Sequence, residues 1–262
     1  MTIRRSPRRA YAVSLKTITH REVRRFLRIW QQTLLPPAIT MTLYLIIFGS
    51  LIGNRIGSME GYSYIEFIVP GVIMIAVITN SYANVVSSFF SAKFQRHIEE
   101  ILVSPTPNLI LLIGYLSGGI LRGLIVGAVV LGISLFFTEV HIYNVWVTAS
   151  VVFLTATLFS LGGFINAIFA RSYDDVAIVP TFVLTPLSYL GGVFYSIQLL
   201  PPFWQTVSLA NPILYLVNAF RYGILGYSDI AIGKAYAVAI LFILLLGATA
   251  LILLRRGTGL RT

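Results

Sequence analysis

Apolar residues run unbroken for twenty or more positions at several places in this chain, and charged residues gather in the short stretches between them. No Asp, Glu, Lys or Arg occurs from Ile29 to Asn54 or from Phe67 to Ala92. A similar apolar pattern recurs over about 110–137, where Arg122 is the one interior charge, and over about 143–170, 175–193 and 234–254. Runs of this length cross a hydrocarbon core of ~30 Å at ~1.5 Å per residue. Their continuity, as opposed to ten-residue alternation, indicates helices and not a β-barrel. The pattern therefore predicts an all-α polytopic membrane protein with six transmembrane helices, at 31–53, 66–91, 110–137, 143–170, 175–193 and 234–254. From Val176 to Phe220 the charge-free run is longer than one span needs, and Pro180, Pro186, Gly191-Gly192, Pro201-Pro202 and Pro212 interrupt it. Such backbone is tolerated at membrane depth only under cover of protein or a water-filled cavity. Residues 195–225 are thus expected to form a re-entrant helical hairpin before the last span.

Composition agrees: 57% of residues are hydrophobic and 11% charged, against about 25% charged in soluble domains, and the mean hydropathy is +0.85. Residues 1–30 hold nine of the nineteen Lys and Arg, including Arg4, Arg5, Arg8 and Arg9. They lack the apolar core of a cleavable signal peptide and read as a retained cytoplasmic segment. Within it, Tyr11, Leu15, Ile18, Phe26, Ile29 and Trp30 share one helical arc opposite Arg21, Arg24 and Arg28. This is the pattern of an amphipathic helix lying in the membrane interface. Glu22 falls in the apolar arc, where it either finds a basic partner or snorkels to water. With six spans, Lys93, Arg96, Arg171, Arg255, Arg256 and Arg261 share the side of the basic N-terminus. Arg55, Arg221 and Lys234 lie opposite, so the positive-inside rule puts both termini in the cytoplasm. Residues 31–257 form the transmembrane domain, and 258–262 a cytoplasmic tail. The net charge of +10 is accounted for by topology and lipid headgroups, with no call for nucleic acid.

Polar positions inside the spans are few. Gly119, Gly123 and Gly127, preceded by Gly114 and Gly118, make a smooth ridge for close approach of another helix, of the same chain by preference or of a second copy. Arg122 lies among them, an intramembrane charge that needs water, a headgroup phosphate, or a partner such as Asp174 or Asp175. Asn80, Asn84 and Ser88 form a stripe in the second span, and Thr181, Thr185 and Ser188 another in the fifth. Both stripes serve either interhelical hydrogen bonding or the lining of a route for a polar or amphipathic substrate.

The sequence lacks the pattern GxxxxGK[ST], and His20, His97 and His141 lack metal-ligand spacing. No cysteine is present, which excludes disulfides and thiolate metal sites. No Asp or Glu sits at the centre of a span, the usual device for coupling to protons, and Glu66 stands at an edge. No catalytic, cofactor-binding or metal site is expected in this chain. Its energy source is then another polypeptide.

One charged island stands out. Lys93 to Pro107, KFQRHIEEILVSPTP, puts four charges and His97 between two membrane-length segments. Phe94, Ile98, Ile101 and Leu102 recur on one helical face, leaving Lys93, Arg96, His97, Glu99 and Glu100 to water. The prolines then stop the helix. The sequence Arg96 to Pro105 resembles the segment ending L-E-x-L-L-V-S-P of the ABC-2 type permease family, with Arg96-His97 standing where many members have Gly-Thr. Pro186 to Tyr195, Leu200-Pro201, and Asn211-Pro212-Ile213-Leu214-Tyr215 through Phe220-Arg221 resemble the family's second signature. The likeness runs over nearly the whole chain from about residue 12, and small bacterial inner-membrane permeases show it most closely.

The resemblance implies the permease subunit of an ATP-binding-cassette exporter, a membrane component that is not itself an enzyme. Residues 93–103 would be its coupling helix, with Lys93, Phe94, Arg96, His97, Ile98, Glu99, Glu100 and Leu102 meeting the ATPase. Gly191, Gly192, Asn211, Pro212, Tyr215 and Arg221 would carry the re-entrant signature. Two copies would pair around a route lined mainly by spans one, two and five, above two ATPase subunits that hold ATP and Mg. The substrate class stays open among lipidic, glycan and drug-like molecules. The alternative is a self-sufficient secondary transporter or channel.

Overall fold

The computed structural model describes residues 7–104 and 106–259. Arg4, Arg5, Pro105, Arg261 and the end of the expected tail lie outside the described residues, as does the side chain of Leu102. Among the described residues, five helices are long and apolar enough to cross a membrane: Trp30–Ile52, Tyr64–Phe94, Asn108–Ser134, Val145–Phe169 and Ile232–Arg256. They match the expected spans one to four and six to within a few residues. The amphipathic segment forms α1 (Pro7–Arg28). The first long helix, α2 (Trp30–Tyr44), continues through a π-helical stretch, Leu45–Ile52, into a single turn, α3 (Gly53–Ile56). A two-stranded hairpin not expected from the pattern follows, β1 (Ser58–Met59) and β2 (Tyr62–Ser63). Its turn residues Glu60 and Gly61 both have positive φ, as a two-residue hairpin connection requires.

The core is built around α4 (Tyr64–Phe94), which is buried on nearly all sides. Ser63 and Glu66 form a capping box at its start, each side chain bonded to the other's backbone amide. That reciprocal bonding explains a carboxylate at the edge of a span. Against α4 pack α6 (Asn108–Ser134) and α7 (Val145–Phe169). The α4–α6 contact is close because of the glycine ridge. A Cβ at Gly119 would come within 2.8 Å of the Ser81 carbonyl, and one at Gly123 would overlap the Ser81 hydroxyl. Gly114 and Gly118 instead receive Ile18 and Glu22 of α1. The ridge is therefore occupied by helices of the same chain, and α1 is seated on α6 as well as flanking the core. Ile18, Glu22 and Phe26 are its buried line, while Tyr11, Ile29 and Trp30 of the expected apolar arc remain exposed.

The expected fifth span is not a single regular helix. It comprises α8 (Tyr173–Val179), a π-helical stretch Pro180–Leu184, and α9 (Thr185–Tyr189). Pro180 has no amide to donate, and the Thr185 amide reaches back five residues to the Pro180 carbonyl, which widens the turn. After a 3₁₀ turn, Ile197–Leu199, come α10 (Pro202–Leu209) and α11 (Pro212–Leu225), joined by a sharp bend, and then α12 (Ile232–Arg256). The starts of α4 and α7 and the end of α11 meet at one end of the bundle. There Tyr62 Oη donates to the Leu225 carbonyl at 2.6 Å, and the amides of Tyr143 and Asn144 donate to Ile224 and Gly223. At the opposite end, the last turn of α4 meets the last turn of α7.

Candidate functional site

Three groupings of the expected site residues emerge. The first is the charged island. Lys93 is the last-turn residue of α4, and its side chain is buried, 6% exposed. Its Nζ donates to the carbonyls of Ile168 at 2.5 Å, Ala170 at 2.7 Å and Ala167 at 3.4 Å. A helix ends with carbonyls that lack intrahelical donors and with partial negative charge. Lys93 therefore caps α7 and does not face water as the pattern alone indicated. The chain then turns through Arg96, whose φ is +62°, into α5 (His97–Val103). Of the described side chains in this short helix, Ile98 is buried at 1% exposure and anchors it. Arg96, His97, Glu99 and Glu100 point outward. Phe94, expected on the buried face, is 57% exposed and rests against Phe90 and Tyr173.

The second grouping is a cavity of about 480 Å³ between α2, α4 and the broken helix α8–α9. Asn80, Thr185, Ser188 and Arg122 line it together with Gln32 and Thr40 of α2. Pro36 and Pro37 interrupt α2 at this level and withhold the amides that would have met the carbonyls of Gln32 and Thr33. Arg122 Nη2 donates to Asn80 Oδ1 at 3.0 Å. Neither expected carboxylate reaches it. Asp175 accepts from the amides of Arg171 and Ser172 as the capping-box partner of Ser172 at the start of α8, and Asp174 is exposed at the same turn. Among the described residues the ion pairs are those of Glu22 with Arg21 and Arg25.

The polar stripe of α4 divides between two tasks. Asn80 faces the cavity, whereas Asn84 and Ser88 are taken by α1. Arg25 Nη2 donates to both oxygens of Asn84, and Ser88 Oγ donates to Glu22 Oε2 at 2.5 Å. Glu22, fully buried, is held by Arg21 at 3.1 Å and Arg25 at 3.5 Å, which supplies the basic partner its position demanded. Thr181 is exposed and is not part of the cavity wall. Pattern reading missed Arg25, which looked like one more basic residue of the N-terminal segment. The resemblance placed span one, now α2, along the route, but its wall residues Gln32 and Thr40 were not singled out, with Pro36-Pro37 the available signal.

The third grouping surrounds the bend between α10 and α11. Asn211 caps α11, accepting from the Ile213 amide at 2.9 Å, while its Nδ2 donates to the Leu187 carbonyl at 2.6 Å. Pro212 occupies the first helical position, where a missing amide costs nothing. Gly192 has φ +67°, and a Cβ at Gly191 would lie 2.7 Å from Ile213. Arg221 is completely buried, donates to the carbonyls of Gly192 at 2.6 Å and Phe67 at 3.3 Å, and lies 3.9 Å over the Phe67 ring. It thus joins α11, the Gly-Gly bend and the start of α4. Tyr215, by contrast, is partly exposed, and its Oη donates to the Leu209 carbonyl. Nearby, Asp229 accepts from Ser196 and Tyr227. Burial and that carboxylate push the Tyr227 phenol well above its ordinary pKa, which keeps it a donor.

A family model described as ABC-2 type transporter matches residues 13–225. The chain belongs to the ABC-2 type transporter family. It is 56% identical over 252 residues to "Inner membrane transport permease YadH" of Escherichia coli (strain K12), covering 96% of this chain and 98% of that protein. More distant relatives include "Nodulation protein J" of Rhizobium meliloti (strain 1021), 26% identical with 73% of each chain covered. The same-named protein of Neorhizobium galegae is 24% identical with 82% of each covered. The matched segment contains α5, the cavity, α10 and α11 as far as Leu225, its last residue. Family membership makes the chain a membrane subunit of an ATP-binding-cassette transporter.

Proposed function

We propose that this ABC-2 permease works as an exporter in the bacterial inner membrane, as a pair of identical copies driven by two separate ATPase subunits that hold ATP and Mg. The relatives named as transport permeases support the class and the membrane. The observation that carries the mechanism is the construction of α5. It exposes Glu99 and Glu100, it is anchored by Ile98, and it follows directly on α4, around which the bundle is packed. Lys93, where the two helices join, also grips the end of α7. A push on α5 by a partner is therefore passed to two long helices instead of being lost in a loop. Packed interiors transmit such displacements because they deform little.

In this reading both termini are cytoplasmic, in keeping with the basic N-terminal segment and Arg255-Arg256. The run from Tyr173 to Tyr189 is the fifth of six spans, since at ~1.5 Å per residue it measures about 25 Å. Helix α11, with 14 residues, measures only about 21 Å and serves as the returning arm of a re-entrant hairpin. The cavity between α2, α4 and α8–α9 is part of the translocation route, and the largely exposed α2 faces the second copy across it. The substrate classes compatible with such a route are lipidic, glycan or drug-like.

Charge reversal tests the coupling. The double variant Glu99→Lys, Glu100→Lys is expected to lose co-purification of the ATPase and ATP-stimulated transport while the permease still folds. Survival of both would remove α5 as the docking contact, and flux through the purified chain alone would favour a self-sufficient channel or secondary transporter.

A further inference from the structure

Among the described residues, Arg122 is a cation without a counter-ion, and it lines a partly apolar cavity. Its Nη2 is met by the neutral Asn80 Oδ1, and its Nε is buried without a hydrogen-bond partner. No carboxylate among the described residues lies within ion-pair distance of it. The next charge to act on it is the like charge of Arg25, itself committed to Glu22 and Asn84. Around it the cavity is lined by Pro36, Met41, Ile75 and Leu184 on the apolar side and by Thr79 and Thr185 on the polar side. A guanidinium removed from bulk water requires paired acceptors, and its planar fork fits an oxyanion with two parallel hydrogen bonds. The volume of about 480 Å³ is in the usual range for a small-ligand pocket. It admits a headgroup and part of a chain, and excludes a folded polymer.

The geometry points to a binding site for an anionic amphiphile, with a phosphate or carboxylate on Arg122 and its apolar tail against α2 and α9. This rests on the reading of the cavity as part of the translocation route, and it narrows the class: an amphiphilic cation would be repelled. The anion belongs either to a membrane lipid or to exported cargo.

The test uses the full chain in phosphatidylcholine nanodiscs, with 11-(dansylamino)undecanoate as the fluorescent anionic probe and its neutral methyl ester as control. The Arg122→Gln variant is expected to weaken binding of the anion about tenfold or more, the loss of one charge-assisted pair, and to leave the ester within about twofold. Arg122→Lys should recover most of the affinity. If Arg122→Gln unfolds the chain, Thr185→Trp, which fills the cavity from α9, is expected to remove both probes. Equal anion affinity in folded wild type and Arg122→Gln would overturn the site, as would anion and ester binding that survive Thr185→Trp. Anionic phosphatidylglycerol in the disc that displaces the probe identifies the occupant as lipid. Failure to displace it, with ATP-driven efflux of the probe dependent on Arg122 when the chain and its ATPase are reconstituted in closed phosphatidylcholine vesicles, identifies cargo. Because binding is read without the ATPase, Arg122-dependent binding combined with ATP-independent efflux would keep this site and remove the coupling reading.

Discussion

Replacing Lys93 by methionine keeps the length and apolar stem of the side chain and deletes only the ammonium. That group meets the Ile168 and Ala170 carbonyls at 2.5 and 2.7 Å and the Ala167 carbonyl at a longer 3.4 Å. Hydrogen bonds to a charged group contribute about 1.5–3 kcal/mol each, and a cation at a partly buried helix C-terminus up to about 2 kcal/mol. These are overlapping accounts of one interaction and are not additive. The methionine variant also escapes the desolvation of a buried ammonium. The net loss is then about 2–4 kcal/mol, near 5–15 °C in apparent Tm at about 2–4 °C per kcal/mol for a chain of this size. A detergent-solubilised thermal melt read by size exclusion measures it, with Lys93→Arg expected to fall between wild type and Lys93→Met. The exposed Lys234→Met is the control and is expected to shift Tm by less than about 1 °C. A Lys93→Met protein that melts with wild type would mean that the α7 carbonyls find other donors. The mechanical link between α5 and α7 would then have no basis.

Two further substitutions test packing and backbone. Gly123→Val should abolish assembly of the α4–α6 pair, seen as loss of monodisperse protein, because its Cβ would overlap the Ser81 hydroxyl. Gly132→Ala, with nothing within 4 Å, should be neutral or stabilising by up to about 1 kcal/mol. At Arg96, where φ is +62°, Gly should be tolerated within about 1 kcal/mol, whereas the β-branched Arg96→Val should lose about 1–2 kcal/mol and disturb α5. Hydrogen exchange at the α4–α5 joint distinguishes the two, and equal protection in both variants would contradict a left-handed turn there.

The short charged helix α5 and the bend between α10 and α11 were legible in the sequence because each is marked by local chemistry. Charges without an apolar neighbour must face water, and Asn-Pro or Gly-Gly fixes its own backbone. Lys93 was misread for the same reason: by its neighbours it belongs to a solvated island, and only the fold brings the bare carbonyls of α7 to it. Asn80, Asn84 and Ser88 likewise share one face by their spacing. That face is wide enough to meet α1 at one level and the cavity at another, and spacing does not encode the level at which a second helix crosses.

By itself the sequence determined that this is a helical membrane protein, where its long helices run, and which family it belongs to. Exclusion of charge from lipid and satisfaction of backbone polar groups act on each segment separately, so they can be read one segment at a time. Only the tertiary structure decided that Glu22 is neutralised by Arg21 and Arg25, that Lys93 caps α7, that α1 sits on the glycine ridge, and that Arg122 meets no carboxylate among the described residues. Each of these depends on which two buried surfaces meet, a pairwise fact of distance that no single segment carries.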